Sequence, residues 1–235
     1  MSSALGHAPP SHEQVDGYVK TALGRGVAAL TLCVLGAAGM ADNAHLLESG
    51  YVPAEGVHVR QEWLEVPLRV AIGHFYGDMA WLAYAKYALS QQPRMDLIAH
   101  HLLCLVGFTY MLDTPGAMLA SCAMTAEVMP VTSALGALGK ATGNRFLITA
   151  APHARLASLL MWRAPLWAMI IVSSARGILQ GSVGQYLAIH RMGVILGAFI
   201  VTLDAFWTWK CIKRFATGQG SAVPALARAK TTKAA

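Results

Sequence analysis

Apolar residues run almost unbroken through six stretches of this chain, and polar residues gather in the short segments between them. The stretches are Thr21 to Ala41, Val66 to Leu89, Met95 to Leu112, Gly116 to Leu138, Leu156 to Ser174 and Ile189 to Cys211. Each is near the roughly 20 residues that a helix needs to cross the hydrocarbon core of a bilayer. Neither strand alternation nor the one-sided stripe of a soluble amphipathic helix runs through them, so the pattern predicts helices that are apolar all round. Pro67 suits the first turn of the second helix. The expected fold is an all-α membrane protein, a bundle of about six transmembrane helices around a central polar-lined cavity. Residues 1–20, rich in Ser, His, Pro and Gly, read as a polar N-terminal tail, 21–215 as one transmembrane domain, and 216–235 as a disordered basic tail. Gly39-Met40-Ala41 has the small-x-small form of a signal-peptide cleavage site, but the long region before it carries Glu13 and Asp16, which favours a retained helix.

Composition agrees with the pattern. Of 235 residues 55% are hydrophobic and 13% charged, and the mean hydropathy of +0.46 is too high for an ordinary soluble domain. A net charge of +6 raises the question of nucleic acid. The basic residues, however, are not interleaved with aromatics as a nucleic-acid surface requires, and no nucleic-acid partner is expected. They fall instead at the ends of apolar segments. Lys20, Arg25, Lys86, Arg94, Lys140, Arg145, Arg155, Lys210, Lys213 and Arg214 sort to one side, against Arg60, Arg69, Arg176 and Arg191 on the other. This asymmetry predicts cytoplasmic termini and an even number of spans. The four cysteines have no CxxC spacing and read as small core residues. Gly193 and Gly197 form a GxxxG step suited to close helix packing, and Trp207 and Trp209 ahead of Lys210, Lys213 and Arg214 read as an interface anchor.

The candidate chemistry is carried by polar residues inside the apolar stretches. A charge at the centre of a membrane helix costs roughly 2.5 to 3.5 kcal/mol, so His74, Asp78, Glu127, Arg163 and Asp204 are expected to face one another or a wet cavity. His74 and Asp78 are four apart and share a helix face, as do Asp96 and His100 in the next helix. Asp96 is expected to orient His100 and fix its tautomer, with His101 turned about 100° away. Two imidazoles side by side are suited to passing a proton between them. Arg163 is expected to be neutralised by Glu127 or Asp204, either as a tether between helices or as part of a binding site.

Five short motifs, in order, resemble the TLC-domain family of polytopic membrane proteins, which includes the ceramide synthases. They are Gly73-His74-Phe75-Tyr76-Gly77-Asp78, the paired-histidine segment Asp96 to Leu105, Glu127-Val128-Met129-Pro130-Val131-Thr132, Leu160-Met161-Trp162-Arg163, and Leu203-Asp204-Ala205-Phe206-Trp207. Cys104 follows the histidine pair where ceramide synthases carry Thr, and their later acidic stretch is reduced here to Ala126-Glu127, so the chain is more similar to the smaller TLC-domain proteins. The resemblance implies a helix bundle of the endoplasmic reticulum membrane that handles membrane lipids. It implies His100 and His101, with Asp96, as a catalytic group for acyl transfer from acyl-CoA to a sphingoid-base amine. His74, Asp78, Glu127, Arg163 and Asp204 would then hold the lipid headgroup. No cofactor is expected beyond acyl-CoA as co-substrate, and no metal. Two other readings use the same residues: a non-enzymatic lipid binder that regulates membrane composition, and a metal-dependent hydrolase with His74, Asp78, His100 and His101 as ligands.

Overall fold

The computed structural model of the chain describes residues 12–47, 64–87, 94–112, 114 and 116–217. Among the described residues every regular element is helical: α1 (His12–Asp42), α2 (Glu65–Tyr87), α3 (Met95–Leu112), α4 (Ala117–Thr125), α5 (Val128–Thr142), α6 (Arg145–Ser158), a π-helical turn (Leu159–Arg163), α7 (Ala164–Gln180) and α8 (Leu187–Ala216). This is the all-α membrane bundle that the apolar pattern predicts. Residues 12–20, read from sequence as part of a tail, are the first turns of α1. The loop between α1 and α2 and the tail beyond 217 lie largely outside the described residues.

Five helical stretches are long and apolar enough to cross a membrane: Gly17–Asp42, Met95–Leu112, Met118–Thr142, Arg145–Gln180 and Gly184–Ala216. α2 has the length, at 23 residues, but its sequence includes Glu65, Arg69, His74, Asp78 and Lys86, which lower its hydropathy. Large apolar side chains such as Val27, Val34, Leu102, Val106, Met161, Val172, Ile195 and Phe199 lie exposed on the outside of the bundle. A soluble monomer rarely shows so much apolar surface, and a lipid-facing belt accounts for it.

The stretch Met118–Thr142 sits at the centre. It is 61% buried, against 28% for each of the other four. α1 lies along both α4 and α5, while α2 and α3 close on α4, and α6 on α5. Small residues let the backbones approach, and at Gly36 an added Cβ would stand 2.5 Å from the Ser121 carbonyl oxygen and 2.9 Å from the Thr125 nitrogen. Gly193 and Gly197 do the same between α8 and α7, where a Cβ would meet Ser174 Oγ at 3.0 Å and Ile171 Cγ1 at 2.8 Å. The GxxxG step thus serves packing, as its spacing predicts.

Two departures from regular helix face each other in this centre. The chain breaks at Ala126 and Glu127, between α4 and α5, and there two carbonyls, of Thr125 and Ala126, are bonded from outside their own helix. Opposite them, the π-helical turn bulges out Trp162 and Arg163, whose side chains donate to those oxygens, Trp162 Nε1 to Thr125 at 3.2 Å and the Arg163 guanidinium to Ala126. A helix break inside a membrane is tolerated only when the freed backbone groups find partners within the protein.

Gly36→Ala is expected to lower stability by about 1–3 kcal/mol through overpacking, whereas Gly73→Ala, whose added Cβ meets nothing within 4 Å, is expected to be neutral or mildly stabilising. Thermal denaturation of the detergent-solubilised protein, followed by circular dichroism, checks both.

Candidate functional site

Most of the intramembrane polar residues named above come together in one buried layer across the bundle. At one edge, Arg25 of α1 bonds Asp78 of α2, through Nε at 2.8 Å and a terminal nitrogen at 2.6 Å. His101 Nε2 of α3 lies 3.5 Å from the same carboxylate. In the middle, His100 Nε2 lies 3.2 Å from Glu127 Oε1 at the α4–α5 break. At the far edge, Arg163 of the π-helical turn makes a fork with Asp204 of α8, with contacts of 3.0, 3.0 and 2.9 Å. All but Arg25 are at most 5% exposed. The two imidazoles are 5.4 Å apart, centroid to centroid, which places them in one layer although they point to different carboxylates.

Several expectations are corrected by this geometry. Asp96 does not orient His100. It lies in the first turn of α3 and is taken up by Arg94 at 2.9 and 2.7 Å, by the indole N–H of Trp207 at 2.9 Å and by Lys210 at 3.6 Å. A carboxylate beside two cations and an indole donor gains more from them than from a neutral imidazole one turn away. The same hydrogen bond holds the Arg94 guanidinium above its usual pKa. His74 also falls outside the layer. It is half-buried and its ring leans on Phe75 at 5.3 Å, while Asp78 on the next turn takes Arg25 instead. Trp207, read as an interface anchor, is 7% exposed and touches three of the site's parts: it bonds Asp96, sets its ring edge-on to His100 at 5.4 Å and lies 5.7 Å from the Arg163 guanidinium carbon. Trp209 is 55% exposed, with the Lys213 ammonium 5.3 Å from its ring.

Two participants are new. Arg25 counted among the topology-setting bases, yet its side chain is a second interior cation. The clue available in the sequence is its place four residues inside an apolar run, next to Gly26. Cys104 is the other. Its Sγ lies 3.7 Å from His100 Nδ1 and 3.8 Å from Nε2, and its i+4 spacing from His100 puts both on one face of α3.

The layer borders a cavity between α3, α4, α7 and α8, with the side chains of Phe108, Leu119, Trp167, Ile170 and Leu196 among its walls. His100, Cys104 and Glu127 are the titratable groups that line it, so where a polar-lined cavity was expected the walls are apolar with one polar end. Its volume of about 50 Å³ has room for a few waters. Where α3 meets α8 beside it, Gly107 opposes Leu196, and a Cβ there would stand 2.9 Å from the leucine methyl.

Chemically, the arrangement is a thiol, an imidazole and a carboxylate in sequence at the end of an apolar hollow. When the ring is neutral and Glu127 accepts from Nε2–H, the lone pair of His100 sits on Nδ1, 3.7 Å from Cys104 Sγ. His101 is held at Nε2 by Asp78, and its Nδ1 has no partner among the described residues. Comparison with protein-family models, with curated proteins and with solved structures finds no match.

Asp204→Ala is expected to destabilise the protein by about 3–5 kcal/mol, because it strands the buried Arg163 charge. The double variant Arg163→Met, Asp204→Leu is expected to recover part of that loss, with the Ala126 carbonyl still short of its donor. Denaturation curves of the wild type and the two variants in one detergent check the order.

Proposed function

We propose that the protein is a lipid-handling membrane enzyme of acyl-transfer type, with His100 as its general base and Glu127 as the carboxylate that orients it. The observation that carries this reading is the His100–Glu127 contact of 3.2 Å at the polar end of an otherwise apolar cavity. An imidazole whose one nitrogen is fixed by a carboxylate presents a lone pair at the other, ready to take a proton from an amine or hydroxyl nucleophile. The apolar walls suit the hydrocarbon part of a lipid, and the order of the five motifs that resemble the TLC-domain family favours a sphingoid base as acceptor and acyl-CoA as donor.

The buried pairs Arg25–Asp78 and Arg163–Asp204 flank the reacting group and keep its surroundings neutral overall. At the end of α3 nearest His100, Arg94 and Lys210 are 54% and 45% exposed in their side chains around the half-buried Asp96. Cations there suit the phosphates of a CoA donor arriving from the aqueous side. We place that side in the cytoplasm, with six crossings and both termini on it, following the distribution of Lys and Arg, and the protein in the endoplasmic reticulum membrane, following the family resemblance.

The purified protein, given a sphingoid base and a panel of acyl-CoAs, is expected to form N-acyl product detectable by mass spectrometry. His100→Ala is expected to lower the rate by about 10²–10⁴-fold, the usual contribution of a general base. Glu127→Gln is expected to lower kcat with little change in KM, and His74→Ala to leave both as they are. If the folded protein carries bound lipid and makes no product with any donor, it is a lipid binder and the enzymatic reading fails.

A further inference from the structure

His100, Cys104 and Glu127 do more than form a hydrogen-bonded row. Their donor atoms, an imidazole nitrogen, a thiol sulfur and a carboxylate oxygen, all lie within 4.8 Å of one another. Zinc takes nitrogen at about 2.0–2.1 Å, sulfur at about 2.3 Å and carboxylate oxygen at about 2.0–2.2 Å, so a tetrahedral site has N–O edges of about 3.3 Å and N–S edges of about 3.6 Å. The corresponding separations here are 3.2 Å from His100 Nε2 to Glu127 Oε1 and 3.8 Å from Nε2 to Cys104 Sγ. Two of the three edges are already near those of a coordination shell, and the third, from the Glu127 carboxylate to Cys104 Sγ, lies within 4.8 Å. The cavity they line gives a fourth ligand, a water or a headgroup oxygen, a place to bind.

Charge in the layer favours the same conclusion. Three carboxylates, Asp78, Glu127 and Asp204, face two arginines, Arg25 and Arg163, and the arginines pair with Asp78 and Asp204. Glu127 is left with the His100 imidazole for a partner, and without a proton on that pair the layer would carry a net negative charge, which is costly in an apolar interior. A proton shared by Glu127 and His100 removes it. A divalent ion removes it equally well, since binding displaces that proton and the proton of the Cys104 thiol, two charges for two.

We propose that His100, Cys104 and Glu127 form a binding site for a borderline divalent cation of the zinc class. Mixed N, S and O donors select this class over magnesium or calcium, which take oxygen alone. The binding stands on the coordination geometry. Its consequence for transfer rests on the reading of His100 as general base: an ion on Nε2 moves the ring proton to Nδ1 and removes the lone pair that the base uses, so the metal-bound form is the inactive one.

The test uses the untagged full-length protein in detergent, loaded with Zn²⁺ or Co²⁺ and freed of excess. About one equivalent of metal is expected to remain, and the cobalt form is expected to show a thiolate-to-cobalt charge-transfer band with the intense visible bands of tetrahedral geometry. Cys104→Ser is expected to lose the charge-transfer band, and both it and Glu127→Gln to bind at least about tenfold more weakly. His153→Ala, at an exposed histidine of α6, is expected to bind like wild type. The site is refuted if wild type keeps less than half an equivalent, if its cobalt spectrum lacks the thiolate band, or if Cys104→Ser with an unchanged melting curve binds as tightly as wild type. In the transfer assay, Zn²⁺ is expected to slow wild type at least tenfold and Cys104→Ser far less. Equal rates with and without bound zinc overturn the inhibitory role, while metal binding with no transfer under any condition overturns only the acyltransferase reading.

Discussion

The buried guanidinium of Arg163 is the interaction on which the rest of this bundle depends. At 1% exposure it is the largest side chain fully enclosed among the described residues, and an unpaired charge at that depth is not tolerated. Its partners come from two other parts of the chain, the Asp204 carboxylate on α8 and the Ala126 carbonyl at the α4–α5 break. Satisfying it therefore fixes the position of α8 against the π-helical turn and the turn against the central helix. Glu127 follows directly after Ala126, so the contact that holds Arg163 also sets the carboxylate that faces His100.

The break and the π-helical turn are complementary irregularities. A regular helix through 117–142 would bond its own carbonyls and place no carboxylate where Glu127 stands. A regular α-helix through 159–163 would turn Trp162 and Arg163 along a different face. Each distortion leaves backbone groups or side chains that the other satisfies, which is how a membrane interior accommodates both. The same exchange accounts for the rigidity expected of the site: its carboxylate is seated on a backbone anchored from two sides, and Trp207 ties the ring of His100 to Asp96 and Arg163.

The polar layer is organised as pairs, and the pairing determines what each group is free to do. Asp78 is occupied by Arg25 and Asp204 by Arg163, which makes both of them structural neighbours of the site. Asp96 is occupied at the end of α3, where it joins α3 to α8 through Trp207 and Lys210. What remains for chemistry is the group whose charge is not matched by an arginine, Glu127 with His100, and the thiol beside them. The proposed proton transfer and the proposed metal binding both draw on that one unmatched charge.

The helices, their membrane setting and the residues out of place in them are legible in the order of residues alone. Apolar runs of spanning length leave few alternatives once backbone groups must be satisfied in lipid, and a buried Asp, Glu, Arg or His stands out against such a background. The same reading gives which residues share a helix face, so the face shared by His100 and Cys104 was legible. Only the tertiary structure decided the partners. His100 meets Glu127, Arg25 meets Asp78 and Arg163 meets Asp204 across gaps of 27, 53 and 41 residues, and no local spacing encodes which carboxylate a distant cation will reach. The Asp96–His100 pairing expected from i, i+4 proximity gave way for the same reason: proximity along a helix offers a contact, and competition among all the donors brought near by folding settles who makes it.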